Sequence, residues 1–226
     1  MEDLLMQYLK GQVRVNKIPA THPLITIRRE HGCNAVDFAE KLAKAINKQL
    51  KDKKSPEWNW ISKEIIENAA AELRLQPGSV DNIISSTNKN IFENVILGFS
   101  NDYVSSLKMK NTIKNVIKTY ADKGNVIIVG RGGGAILSDY SDALHIKLSA
   151  PEEWRAEKTA ERCNISLAKA KIIVRDVDTA RNHFVECFTG KKHDSFFYHL
   201  VLNCAKLSME EMVESVLLLM KMRKIL

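Results

Sequence analysis

The sequence predicts an α/β fold, a parallel β-sheet flanked by helices, and three observations predict it. Val126-Ile127-Ile128-Val129 is an unbroken apolar run rich in β-branched residues, the pattern of a strand buried on both faces. Shorter apolar runs at Leu24 to Ile27, Leu144 to Leu148 and Leu200 to Asn203 alternate with segments of helical periodicity, which favours parallel strands joined through helices. Both the first run and the central one lead into a polar or glycine-rich turn and then a helix.

In chain order, Met1 to Gly11 carries Leu4, Leu5, Tyr8 and Leu9 at helical spacing and ends in a helix-stopping glycine, so residues 1–20 read as an N-terminal helical extension. Residues 21–226 read as a single domain. Pro23 introduces the first strand, Leu24 to Ile27, and the polar turn Arg28 to Asn34 leads to a helix over Ala35 to Leu50. On that helix Ala35, Phe38, Ala39, Leu42, Ala43 and Ile46 form one apolar face. The charged stretch Lys51 to Trp60, with Pro56, reads as a loop. Ile61 to Leu75 reads as a helix broken by Gln76-Pro77-Gly78, so residues 50–100 form a helical insertion. Val104 to Lys123 is a helix stopped by Gly124 before the central strand. A glycine turn, Gly130 to Gly134, then gives a short helix and the strand Leu144 to Leu148. Ser149-Ala150-Pro151-Glu152 and Ser208-Met209-Glu210-Glu211 have the form of capping boxes, and Ser166 is placed to cap the helix between them.

Composition narrows the function classes. With 226 residues and 45% hydrophobic content the chain can bury a substantial core. No apolar run approaches the ~20 residues that span a bilayer. Glu2 and Asp3 stand where a secretory signal carries positive charge, so a cytoplasmic location is expected and no membrane partner. Cys33, Cys163, Cys187 and Cys204 are far apart without a Cys-x-x-Cys pair, which suggests neither zinc nor a disulfide framework. The net charge of +7 suits a phosphorylated small molecule, an acidic lipid or nucleic acid, but no helix-turn-helix or aromatic-basic pattern supports the last.

Two strand-to-helix turns could cradle phosphate, because free N–H groups and the positive end of a helix meet there. The first, His31-Gly32-Cys33-Asn34-Ala35, lacks the Lys-Ser or Lys-Thr of a full Walker A loop. The second reads G-x-G-x-x-A from Gly130 to Ala135, a dinucleotide-like pattern, but the next strand ends in Ser149 rather than an acid. Arg155, Lys158 and Arg162 share one helical face, and Asp178 and Arg181, three apart, are helix neighbours; by spacing alone both sets read as surface ion pairs.

Several segments together resemble the cytidylate kinase-like family of P-loop kinases, from Leu24 to about Val216. They are Ile25-Thr26-Ile27-Arg28-Arg29-Glu30-His31-Gly32, Ile61-Ser62-Lys63-Glu64-Ile65-Ile66 and Val126 to Arg131. Further on come Ala150-Pro151-Glu152-Glu153-Trp154-Arg155, Glu161-Arg162-Cys163-Asn164-Ile165-Ser166, Asp178-x-x-Arg181 and Phe188-Thr189-Gly190-Lys191-Lys192. The resemblance implies a P-loop, nucleoside-monophosphate kinase-like fold, in which residues 50–100 are the acceptor-side insertion and residues 151–192 a helical lid. It implies transfer of the γ-phosphoryl of ATP, with Mg²⁺, to CMP or dCMP; small-molecule nucleotides are then the partners, and a homodimer is left open. The implied catalytic residues are Arg131, Arg155 and Arg162. The phosphate of ATP falls to Arg29, Gly32, Cys33, Asn34, Ala35, Val36 and Asp37, and the acceptor to Arg131, Asp178 and Arg181, with no protein metal ligand. The chain departs from the family where Gly-Ser-Gly-Gly-Arg is usual, reading Gly32-Cys33-Asn34-Ala35-Val36, and Ser62 and Gly132 each replace an Asp. The alternative is a catalytically impaired homologue that binds nucleotide as a regulatory or interaction module.

Overall fold

Residues buried on both faces belong in the interior of a parallel sheet, and the Val126 run is an inner strand there, but the centre that it was expected to occupy is taken by the run that begins at Leu24. The computed structural model describes residues 23–50, 56–62, 106–189 and 197–226. Five strands, β1 (Leu24–Arg29), β2 (Asn59–Ile61), β3 (Val126–Val129), β4 (Ala143–Ser149) and β5 (Leu200–Asn203), form one sheet in the order β2-β3-β1-β4-β5. Each adjacent pair is parallel, so Ile25 lies between Ile127 of β3 and Leu144 of β4. Among the described residues the helices are α1 (Ala35–Leu50), α2 (Ser106–Lys123), α3 (Gly133–Ile136), α4 (Glu152–Cys163), α5 (Leu167–Thr189) and α6 (Met209–Met222).

Strand alternation divides the contents of the two faces. Ile25 and Ile27 point into a core with Phe38, Leu42 and Ile46 of α1 and Val216, Leu217 and Met220 of α6. Phe38, Leu42 and Ile46 are fully buried, each contributing about 2 kcal/mol of apolar burial. The alternate residue Thr26 is also buried and bonds to the ring of His145 on β4, Oγ1 to Nδ1 at 2.7 Å. That ring stacks between Phe197 and His199. On this face Gly133 and Gly134 of α3 approach Thr26 closely.

The predicted helix over Ala35–Leu50 and the strand Val126–Val129 match the observed bounds. Three further expectations are corrected. Arg28 and Arg29, read as turn, extend β1 because they pair with Lys147 and Leu148 of β4. Asn59–Ile61, split in sequence between a loop and a helix, is the edge strand β2; three residues are too few to display a period. Asn47 on α1 fixes that edge, donating from Nδ2 to the Trp58 carbonyl and accepting at Oδ1 from the Trp58 N–H. Ser149 does not cap α4, whose N-cap is Pro151 without a side-chain bond; the Ser149 hydroxyl donates to Glu30 Oε2 instead. The N-terminal extension, most of the insertion, including residues 63–75 of its predicted helix, and residues 190–192 lie outside the described residues.

The capping box of α6 is formed as read. Glu211 N–H donates to the Ser208 hydroxyl, and the Glu211 carboxylate accepts from the Ser208 N–H. Ser208→Ala is expected to lower stability by about 1 kcal/mol in urea unfolding with an unchanged denaturant slope.

Candidate functional site

Parallel strands bring their carboxyl ends to one edge, and three charged or glycine-rich turns meet there. β1 ends in Arg28-Arg29-Glu30, β3 in Gly130-Arg131-Gly132, and β4 in Ser149. After β3 the backbone is left-handed at three successive residues, Gly130 (φ 75°), Arg131 (φ 53°) and Gly132 (φ 71°). Glycine adopts this freely; at Arg131 it is an uncommon conformation that the surrounding turn must hold. Gly130 has a further constraint, since a Cβ there would collide with the guanidinium of Arg29.

These turns enclose a cavity of about 360 Å³ lined by Arg28, Arg29, Arg131, Gly132 to Ala135 and, from α5, Asp176, Ala180 and Arg181, with Tyr198 and Phe184 as aromatic walls. Four guanidinium groups therefore surround one space. Arg28 is partnered by Asn182, Nη2 to Oδ1 at 2.5 Å, and Arg181 reaches the Arg29 carbonyl at 3.4 Å and Asp178 at 3.8 Å. The guanidinium of Arg29 makes no hydrogen bond and no ion pair among the described residues. Its pKa is depressed to about 9, first by burial and then by repulsion from Arg181, Arg131 and Arg28. An arginine stays charged at working pH, so that depression measures what it costs to hold the cation here, a cost an entering anion would remove. Burial also lowers the pKa of Arg181, against the pull of Asp178 and with repulsion from Arg131 and Arg28. An anion entering this space exchanges water for a preformed cationic wall.

The loop after β1 is built differently. Gly32, at φ 98°, packs so closely on α4 that a Cβ would stand 2.8 Å from Arg155 Cβ and carbonyl oxygen. Arg155 is buried and is a structural clamp: Nε donates to the Ala150 carbonyl at 2.9 Å, and Nη1 to the His31 carbonyl at 3.1 Å and to Asp178 at 2.5 Å. Asp178 also accepts the His31 N–H at 2.7 Å, and Arg162 donates to the Gly32 carbonyl at 3.0 Å. Cys33 N–H bonds to the Glu30 carbonyl and Ala35 N–H to the Cys33 carbonyl, while Asn34 Oδ1 takes the Asp37 N–H at 3.5 Å. The N–H groups of Gly32, Asn34 and Val36 have no acceptor within the protein among the described residues. Val36 is 42% exposed and Asp37 is ion-paired with Lys41. Glu30 braces the loop. Against the effect of burial, its carboxylate is held below the usual range by Lys147, Ser149 and the Ala150 N–H.

A second cavity, about 490 Å³, opens on the α4 side of this loop, between Gly32 and Asn34, Trp154, Lys158 and Arg162 of α4, and Cys204 to Met212. The site residues taken from the sequence thus separate into two groups. Arg29, Arg131 and Arg181 share the first cavity. Gly32, Asn34 and Arg162 share the second, while Arg155 and Asp178 join the loop to α4 and α5. Cys33 and Ala35 are buried in the loop itself. Arg28 was considered from sequence, with Arg29, as a replacement for the loop's missing cation; Glu30, Lys147 and Tyr198 were not singled out. The signal for Glu30 is the charged triplet Arg28-Arg29-Glu30 at the end of a buried strand. Because Arg155 and Asp178 form a largely buried pair, Arg155→Ala, which leaves Asp178 with only the His31 N–H and the more distant Arg181, is expected to cost about 3 kcal/mol in urea unfolding.

Among the described residues no group of three or more His, Cys, Asp or Glu side chains could hold a metal ion, and no helix is long and apolar enough to cross a membrane. The fold is similar to those of solved structures. An uncharacterized protein from Eubacterium ventriosum superposes with a TM-score of 0.64 at 18% identity, covering 89% of this chain and 99% of that one. Shikimate kinase from Bacteroides thetaiotaomicron gives a TM-score of 0.51 at 10% identity, covering 88% and 98%. The fold is that of P-loop kinases. No curated protein sequence matches the chain. The family model for the cytidylate kinase-like family matches residues 24–206, a span that includes the loops after β1 and β3, and the chain belongs to that family.

Proposed function

We propose that this chain transfers the γ-phosphoryl group of ATP to a nucleoside monophosphate, CMP or dCMP. The observation that carries the reading is the cationic cavity at the carboxyl edge, where Arg29 has no partner of its own among the described residues and Arg28, Arg131 and Arg181 converge. A cavity of about 360 Å³ with an aromatic side at Tyr198 and Phe184 suits a nucleotide, the phosphate toward the arginines and the base toward the rings. Phosphoryl transfer asks little covalent chemistry of a protein and much charge neutralisation, which arginines supply. The unbonded amides of Gly32, Asn34 and Val36, at the start of a 16-residue helix, are placed to receive the phosphates of ATP from the second cavity. Mg²⁺ would enter as the ATP chelate, held by phosphate oxygens and water rather than by a protein cage. The α4–α5 hairpin then excludes water, which suppresses hydrolysis. On this reading the partners are small-molecule nucleotides and the site of action is cytoplasmic.

A second reading, an impaired homologue that binds nucleotide without turning it over, is favoured by two observations. Position 36 presents valine where the family carries a cation to the phosphates, and Arg155 is committed to the frame. A coupled assay of ADP release with ATP, Mg²⁺ and CMP, dCMP, UMP, AMP or GMP separates the two. The leading reading expects turnover, fastest with the cytidine monophosphates. CMP binding by calorimetry without ADP release assigns the second reading, and neither binding nor turnover contradicts both.

A further inference from the structure

The phosphate loop carries a thiol that the transfer reaction does not use, and a second thiol meets it from the other end of the chain. β1 pairs with β4 through Arg29 and Leu148, and β4 pairs with β5 through Ser149 and Asn203, so the residues just beyond β1 and β5 both fold over the end of β4. Backbone bonds fix them there. Glu30 N–H donates to the Leu148 carbonyl at 3.1 Å, Cys33 N–H to the Glu30 carbonyl at 3.2 Å, and Cys204 N–H to the Ser149 carbonyl at 2.8 Å. The Ser149 hydroxyl ties the two loops again through Glu30. The Cys33 and Cys204 side chains pack in one cluster, close enough for each thiol to act on the other. Cys33 is buried, whereas Cys204 is half-buried and opens on the second cavity.

We propose that Cys33 and Cys204 form a redox-active dithiol, a modification site whose oxidant is a peroxide and whose product is a disulfide joining the phosphate loop to the β5–α6 loop. The interaction between the thiols, together with burial, pushes the pKa of Cys33 up; the same interaction lowers that of Cys204. Cys204, the thiol that opens on the second cavity, is the one a peroxide reaches and so the attacking thiolate. Its sulfur displaces hydroxide from the O–O bond, giving a sulfenic acid, and the hydroxide takes up a proton to leave as water. Cys33 then attacks that sulfur, the S–O bond breaks, and a second water leaves as the S–S bond forms. In total two thiols are oxidised and one peroxide is reduced to two waters.

The consequence for nucleotide rests on the proposed function. The second cavity lies between these two loops, so a covalent tie across them fixes the amides of Gly32 and Asn34 and restricts entry of ATP.

The test treats the reduced full-length protein with equimolar hydrogen peroxide, alkylates remaining thiols and maps the digest by mass. A Cys33–Cys204 cross-linked peptide pair that dithiothreitol removes is expected, absent in C33S and in C204S. In C33S, a variant of nearly the same shape, dimedone should trap the sulfenic acid on Cys204. Oxidation confined to Cys163 or Cys187, or a Cys204 sulfenic acid that persists in the wild type without a cross-link, overturns the dithiol. Binding of a fluorescent ATP analogue should weaken at least about tenfold on oxidation of the wild type and stay unchanged in C204S. A cross-linked protein that binds the analogue as the reduced one does overturns the effect on ATP. Failure of the reduced protein to bind it at all contradicts the proposed function, and the cross-link still decides the dithiol.

Discussion

Arg131→Met is expected to lower kcat/KM for the acceptor by about 10³-fold, equivalent to about 4 kcal/mol of transition-state stabilisation, with KM for ATP little changed. The size follows from the location. Arg131 sits in a left-handed turn between two glycines whose backbone also bends left, and it lines the same cavity as Arg29 and Arg181. A group so positioned needs no rearrangement as charge develops on the transferred phosphoryl, and methionine keeps an unbranched stem while removing the charged head. The variant should also lose sensitivity to anions. The melting temperature of the wild type should rise with millimolar phosphate or CMP, because anion binding to the folded state relieves repulsion among Arg29, Arg131 and Arg181. In Arg131→Met that rise should shrink, and the anion-free protein should be no less stable than the wild type. An unchanged acceptor kcat/KM would remove Arg131 from the site.

Val36→Arg is expected to act in the opposite direction, raising kcat/KM for ATP by about 10²-fold. Val36 lies in the first turn of α1, 42% exposed, beside amides without an acceptor, so a longer side chain there meets solvent rather than core. A cation at a helix N-terminus costs about 0.3–1 kcal/mol against the helix dipole, far less than a charge contact to the transferred phosphoryl contributes in the transition state. The variant should therefore be slightly less stable and more active. A fall in melting temperature with no gain in ATP kinetics would mean that the loop does not hold the phosphates.

The sheet was legible from sequence wherever burial imposed a pattern. The Val126 run could only be a strand, and the apolar face of Ala35–Leu50 could only be a helix lying on it. Legibility failed where long-range pairing decided the outcome. Arg28 and Arg29 look like turn residues until β4 pairs with them, and Asn59–Ile61 is too short to show alternation. Ser149 has the sequence of a cap but finds Glu30 first, a contact between residues 119 apart in the chain. The same division runs through the site. Gly32, Arg131 and Arg181 were marked by the family resemblance, and the three-residue spacing of Asp178 and Arg181 gave a helical pair. The resemblance placed Arg155 over ATP and Asp178 on the acceptor; the fold binds them to each other and to the His31 backbone, an arrangement no local spacing reveals. Cys33 and Cys204, distant in sequence and without a motif, meet only because β1 and β5 both flank β4.

A crystal of the protein soaked with CMP and a non-hydrolysable ATP analogue gives the most direct test of the central claim. The predicted result is the CMP phosphate within hydrogen-bond distance of Arg29, Arg131 and Arg181, with the triphosphate on the amides of Gly32, Asn34 and Val36. CMP absent from that cavity at saturating concentration, with the arginines turned instead toward protein carboxylates, would contradict it.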